Sequence, residues 1–327
     1  MDDLVSIIIP VFNVQNYIER CMDSLLKQTY ENYEVILIDD GSTDNSGVLC
    51  DEYANVDSRI KVIHKMNGGV SSARNEGLDH VQGKYVMFID PDDYILEQML
   101  FQMVSHMEME LVDMVECSYT KFYDNHITFD MQKKITGIMS NNEALQYFLK
   151  WEGIVTSFCW GKLYKYDILK SIRFNSNLKV GEDALFVYEY LKKCNKLYVD
   201  PIPMYRYYLR ENSAIGNIYT SKRIDAIKSA NIIRDDCFKE LPDLISEANV
   251  HLGLATFYTC SVLVETIPWK NLRLYKDDLL VIKKSFQSVE ISTIKKKCAK
   301  STLILWSICK FSPIFYKITL PLRRGGR

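Results

Sequence analysis

Four short apolar runs, each cut off by a polar turn, limit what this chain can fold into. Residues 5–9 stop at Pro10, residues 33–38 at Asp39-Asp40-Gly41, residues 60–63 near Asn67-Gly68-Gly69, and residues 85–89 at Asp90-Pro91-Asp92-Asp93. Each run has the length and the β-branched or aromatic content of a buried strand. Between them apolar residues recur at helical spacing, as in Ile18, Cys21, Met22, Leu25 and Leu26. Strands alternating with helices predict an α/β fold with a mostly parallel sheet covered on both faces. Ligands of such sheets bind beyond the carboxyl ends of the strands, and that is where the four polar stretches would meet.

The turn after the fourth run carries three carboxylates on a stiff frame, because Pro91 fixes its own φ and lacks an N–H. Two readings are open. A hard cation such as Mn²⁺ or Mg²⁺ takes one or two carboxylates and lets substrate phosphates fill other positions. Alternatively, the turn is solvated and caps the helix that follows. Asp39-Asp40 before Gly-Ser-Thr has the same ambiguity, since that pattern also makes a turn and a helix cap.

Further along, residues 96–109 carry a helical stripe of methionine and leucine, 113–119 read as a strand, and 123–134 as a surface hairpin. Ser140 and Glu143 form a capping-box pattern. From residue 221 the periodicity is helical, with no linker or repeat, so residues 216–294 are expected to be a helical extension. A net charge of −2 gives no reason to expect a nucleic-acid partner. Nine cysteines without a C-x-x-C pair read as buried thiols in a reducing compartment, and the acidic N-terminus is wrong for a signal peptide.

Residues 295–327 differ from the rest. Lys295, Lys296, Lys297 and Lys300 precede an apolar stretch that Lys310 and Lys317 interrupt and Pro313 breaks, and Arg323, Arg324 and Arg327 follow. This is too interrupted to span a bilayer comfortably. Apolar and aromatic residues flanked by cations suit a helix lying on an anionic membrane. Packing onto the protein and true insertion are the alternatives. The expected location is cytoplasmic, at the inner face of the cell membrane.

Four stretches, VSIIIPVFN (5–13), VILIDDGSTDNS (35–46), NGGVSSARNEGL (67–78) and FIDPDDY (88–94), resemble in order and spacing the family 2 nucleotide-sugar glycosyltransferases of GT-A fold. The resemblance covers roughly residues 1–215. It implies a nucleotide-sugar half (about 1–95) and an acceptor half (about 96–215). Pro10, Val11 and Asp40 would line a uridine pocket with Asn13 beside them, Asp40 accepting a hydrogen bond from the base and Asp39 supporting it. Asn67 and Arg74 match positions facing base or diphosphate, although Arg74 also suits a solvated helix position. Asp90 and Asp92 stand at the family's D-x-D, which contacts ribose and metal; Pro91 departs from the usual small residue and leaves open which of Asp90, Asp92 and Asp93 touches the ion. Trp160 and Lys162 match a stretch bordering the acceptor cleft, with core packing the other reading of Trp160. Glu182 and Asp183 match the general-base position, Asp183 being preferred, while both also suit a helix N-terminus. Arg210 and Ser213 match a clamp on the diphosphate, with Arg206 a competitor.

The resemblance thus implies a metal-dependent, inverting transfer of a hexose from a UDP-sugar to a glycan or lipid-linked saccharide of a bacterial surface polysaccharide. Homo-oligomerisation is left open. A dehydrogenase is disfavoured because no G-x-G-x-x-G follows the first run. A non-catalytic nucleotide-sugar or glycan-binding protein would keep the pocket without needing a base.

Overall fold

Each of the four apolar runs is a strand. In order, β1 (Val5–Val11), α1 (Ile18–Leu26), β2 (Tyr33–Asp39), α2 (Ser46–Val56), β3 (Ile60–His64), α3 (Val70–Asp79) and β4 (Tyr85–Phe88) form the first half of the sheet and its helices. There follow β5 (Tyr94–Ile95), α4 (Met99–Met109), β6 (Met114–Tyr123), β7 (His126–Asp130), β8 (Gly137–Ser140), α5 (Asn141–Leu149), β9 (Lys162–Lys165), α6 (Tyr166–Leu169), α7 (Glu182–Lys193) and β10 (Lys196–Tyr208). The chain closes with α8 (Ile224–Glu240), α9 (Ile245–Thr266) and α10 (Lys276–Ser288). The computed structural model describes residues 3–123, 126–131, 133–209, 218–290, 306, 307, 309–314 and 317.

Strand order is β3-β2-β1-β4-β9-β6-β10-β5, with β7 on β6 and β8 on β10. From β3 to β4 every pair is parallel. Beyond that the sheet is mixed, which narrows the mostly parallel expectation to the first half: β9 runs antiparallel to both β4 and β6, and β10 is parallel to β6. A parallel neighbour needs a long crossover, whereas β7 folds straight back on β6 as the hairpin read from the sequence. Ile7, Ile9, Val35 and Leu37 are buried in one cluster with Ile18, Cys21, Met22 and Leu25 of α1. At about 1.5–3 kcal/mol for each fully buried large aliphatic side chain, this layer holds the strand ends in place. The capping box is formed: Ser140 N–H and hydroxyl donate to Glu143 Oε2 at 2.9 and 2.8 Å.

The chain divides into two compact units. One comprises residues 1–145, 153–176 and 186–210, and the other 146–152, 177–185 and 211–327. Among the described residues, two short segments of the expected 1–215 catalytic domain, 146–152 and 177–185, therefore group with the helices. In the second unit, Leu252, Leu263, Ile282 and Phe286 share a core, Thr256 and Ser285 exchange a buried hydrogen bond of 2.6 Å, and Trp151 Nε1 donates to His251 Nδ1 at 2.9 Å. Burial lowers the His251 pKa to about 4.

Trp306 and Cys309 belong to this same core. Lys317 Nζ donates to Val264 O at 2.6 Å and to Ile267 O, capping carbonyls left over at the end of α9. Packing onto the protein therefore describes Trp306, Cys309 and Lys317, whereas Phe311 is exposed; residues 295–305, 308, 315, 316 and 318–327 lie outside the described residues. No helix among the described residues is long and apolar enough to cross a membrane. Among the described residues, eight cysteines are buried.

Candidate active site

The loops after β1, β2 and β3 are tied to one another by side chains. Asn13, in the left-handed region at φ 51°, accepts at Oδ1 from Thr43 N (2.8 Å), while its own N–H donates to Ser42 Oγ (3.2 Å). Asp39 accepts from Ser42 N (2.9 Å) and pairs with His64 Nδ1 (2.9 Å). Burial alone would raise the Asp39 pKa, but the Ser42 and His64 hydrogen bonds outweigh it and hold the carboxyl below its usual range. Asp39 and Asp51 in turn raise His64. Asp40 accepts from Lys65 Nζ (2.8 Å), Gly68 N (2.9 Å) and Gly69 N (2.7 Å). Gly69 has φ 86°, a conformation that only glycine adopts cheaply, and this turns its amide onto the carboxylate just before α3 begins.

These contacts bear on three expectations. Asp40 is 2% exposed and accepts three protein hydrogen bonds, which close the loop around its carboxylate. Val11 is wholly buried in the core and its carbonyl accepts from Asp40 N (2.8 Å), so its side chain lines no open pocket. Pro10 is likewise buried. Lys65, passed over in the sequence, is a cation of this rim, bonded also to Ser72 Oγ (3.0 Å); its signal was a lysine two residues before Asn-Gly-Gly, opposite an Asp pair. Asn67 beside it is exposed.

The acidic stretch is a β-turn with Pro91 at its second position, closed by Asp93 N donating to Asp90 O (3.0 Å). Asp93 is wholly buried and accepts from Tyr205 Oη (2.7 Å) and Tyr208 N (2.8 Å). Burial, followed by the charges of Asp92 and Asp90, pushes its pKa well above the carboxylate range. Asp93 is therefore a brace of the turn and drops out as a metal ligand. Arg74 is buried, not solvated, and its Nη2 pairs with Asp90 Oδ1 at 2.9 Å. Arg20 lies over the Tyr208 ring at 4.2 Å and donates to Asp92 O at 2.6 Å, fixing the backbone there. Asp90 and Asp92 remain as the candidate ligands. Two carboxylates suit an ion that completes its shell with phosphate oxygens. Among the described residues no group of three or more His, Cys, Asp or Glu forms a cage of its own.

Trp160 and Lys162 are corrected as acceptor contacts. Trp160 is 4% exposed, its ring nearly parallel to Phe158 and Tyr205 with centroids 4.5 Å from each. Lys162 is 0% exposed and faces Glu116 at 3.2 Å, while Lys133 faces Glu116 at 2.7 Å. Lys162 also donates to Thr156 Oγ1 and Phe158 O, and Lys133 to Ile154 O. Burial lowers the Lys162 pKa; it would raise Glu116, but Lys133 and Lys162 outweigh it and lower that group. This cluster pins residues 154–158 from inside.

Glu182 and Asp183 open α7, in the second unit. Gly181 before them has φ 85°, and a Cβ there would meet Ser229 Cβ at 3.0 Å and Ala226 Cα at 3.1 Å. Ser229 Oγ donates to Gly181 O (2.7 Å) and Lys179 N to Asp225 Oδ2 (3.0 Å), so α8 holds the turn that carries the two acids. Arg210 and Ser213 lie outside the described residues. Arg206, their competitor, is spent on Thr120 Oγ1 (2.6 Å) and Pro203 O (2.8 Å).

Residues 6–173 match the family model for glycosyl transferase family 2. GlyA, a glycosyltransferase of Streptococcus pneumoniae, is 33% identical over 238 residues, covering 70% of this chain and 34% of GlyA. The uncharacterized glycosyltransferase EpsJ of Bacillus subtilis is 35% identical over 190 residues, 57% of this chain and 55% of EpsJ. The chain thus aligns with between a third and about half the length of these curated relatives. Staphylococcus aureus TarS 1–349, solved in complex with UDP-GlcNAc, superimposes with a TM-score of 0.76 at 22% identity, over 99% of this chain and 92% of that one. That likeness shows the GT-A-type fold, and the family match over just over half of the sequence shows that the chain belongs to glycosyl transferase family 2.

Proposed function

We propose that this protein transfers a hexose from a UDP-sugar to a hydroxyl of a saccharide acceptor in surface-polysaccharide assembly, with inversion at the anomeric carbon. The observation that carries the reading is the rim itself. Asp40 with Lys65 and the Gly68-Gly69 amides, and Arg74 with Asp90, bring the ends of β2, β3 and β4 to one edge of one unit. The TarS complex with UDP-GlcNAc supports a uridine donor on this fold. When bound, Mn²⁺ or Mg²⁺ on Asp92 and Asp90 would supply positive charge against the leaving diphosphate.

The chain's own residues do the rest. Arg74 orients Asp90, and Asp93, Tyr205 and Arg20 hold the turn rigid, so little reorganisation accompanies charge development. Asp183 accepts the proton of the acceptor hydroxyl as its oxygen attacks the anomeric carbon; the bond to the diphosphate breaks on the opposite face, and the configuration inverts. Gly181 delivers that carboxylate through its contact with α8. Peripheral association with an anionic membrane rests on the basic residues of 295–327 and on exposed Phe311. The test pairs two variants. Asp183→Asn should keep UDP binding and lose transfer by about 10²–10⁴-fold, whereas Asp92→Ala should lose transfer together with its response to metal. Normal transfer by Asp183→Asn removes that residue from the role of base.

A further inference from the structure

Lys121 of β6 stands between two direct register partners, Phe129 of β7 and Tyr207 of β10. Its ammonium lies 5.4 Å from the Phe129 ring centre, 6.0 Å from Tyr207 and 5.9 Å from Tyr119. Lys65, Arg74, Lys133 and Lys162 each face a carboxylate. Lys121 has no such ion pair among the described residues. It is half-buried among ring faces, and that burial lowers its pKa. A cation stripped of part of its water and offset, among the described residues, by aromatic quadrupoles is under-compensated. Phe129 is 44% exposed, so the aromatic surface beside the ammonium is open to solvent.

The same face leads to the acidic turn. Tyr207 lies two residues from Tyr205, whose hydroxyl holds Asp93. Strand geometry puts the Lys121 and Tyr205 backbones about 8 Å apart, one strand over and two residues along.

We propose that Lys121, Phe129 and Tyr207 form an acceptor subsite for a saccharide or polyol carrying an anionic group, a phosphodiester or a carboxylate. This deepens, and rests on, the transferase reading above. The ring faces take the C–H surface of a sugar, and the anion supplies the counter-charge that no described residue gives Lys121. A neutral acceptor would cover the rings and leave the ammonium further desolvated without a partner, so the site selects for charge.

The test uses the full chain and titration calorimetry with four probes: UDP with Mn²⁺, a glycerol-phosphate oligomer, an oligogalacturonate and neutral maltohexaose. At least one anionic oligomer should bind the wild type about tenfold or more tighter than maltohexaose, with an advantage that falls as salt rises. Whether the phosphate or the carboxylate oligomer does so identifies the anion. Lys121→Met should abolish the advantage and Lys121→Arg retain it, while UDP binding stays unchanged in both and reports that they fold. Equal binding of neutral and anionic oligomers, no oligomer binding, or an advantage that survives Lys121→Met overturns the subsite. Failure of UDP to bind the wild type, alongside a Lys121-dependent anion preference, would instead defeat the donor reading and leave the subsite standing.

Discussion

Two groups of charged side chains in the sheet-bearing unit are made of the same chemistry and end differently. Glu116, Lys133 and Lys162 are all 1% exposed or less for their side chains, and Glu116 faces both cations. At the acidic turn the Asp90 side chain is 25% exposed and meets one guanidinium, that of Arg74. The first group is closed: its atoms point at protein and nothing soluble reaches them. The second keeps carboxylate surface where a ligand can arrive. Asp93 shows that the distinction runs within a single turn, since it is wholly buried three residues from Asp90 and belongs with the closed group, with Asp92 between them at 8% exposure. What separates a structural acid from a chemical one here is exposure and partners, not residue type or motif.

That contrast can be broken by substitution. The largest effect should be on catalysis: Asp92→Ala is expected to reduce transfer by about 10³-fold, a few kcal/mol of transition-state stabilisation, with the melting temperature little changed. A large fall in stability would move Asp92 into the closed group. Glu116→Gln should do the reverse. Leaving two buried ammonium groups without their counter-charge costs about 3–5 kcal/mol, read from urea unfolding, and a change below about 1 kcal/mol would mean that water reaches the cluster. Asp93→Ala, which takes the acceptor from the Tyr205 hydroxyl proton and from Tyr208 N, should cost about 2 kcal/mol, with Asp93→Asn milder because an amide still accepts from Tyr208 N.

The smallest effect concerns pH. Asp39 and Asp51 raise the His64 pKa, so the pair's contribution is complete below the unfolded value of about 6.5 and fades as pH rises through the raised folded value. Asp39, held low, keeps its part until acid is reached. The melting-temperature gap between wild type and His64→Gln should therefore be widest near pH 5.5 and close towards about pH 8.5. Because the His64 side chain is 48% exposed, the gap should correspond to less than ~1 kcal/mol. A gap that widens with pH would reverse the assignment.

Much of the sheet and the rim could be read from the chain because both rest on local signals. Apolar runs of strand length, a proline after an aspartate and glycines after Asn67 act within a few residues. The misreadings came from contacts distant in sequence. Asp40 is satisfied by amides 28 and 29 residues away, Lys162 by Glu116, and Asp93 by Tyr205, 112 residues on. Nothing local marks those pairings, so a buried brace and a ligand-binding acid look alike in the sequence. In the tail, the flanking cations are a local signal, whereas the burial of Trp306 and Cys309 in the core of α8, α9 and α10 depends on contacts that nothing nearby in the sequence marks.

The most direct test of the central claim is nucleotide release from a panel of UDP-, GDP- and TDP-sugars, measured with Mn²⁺ and again after chelation. Release from a UDP-sugar should depend on metal and be lost in Asp92→Ala. Release indifferent to metal and to Asp92, or none from any activated sugar, would contradict it.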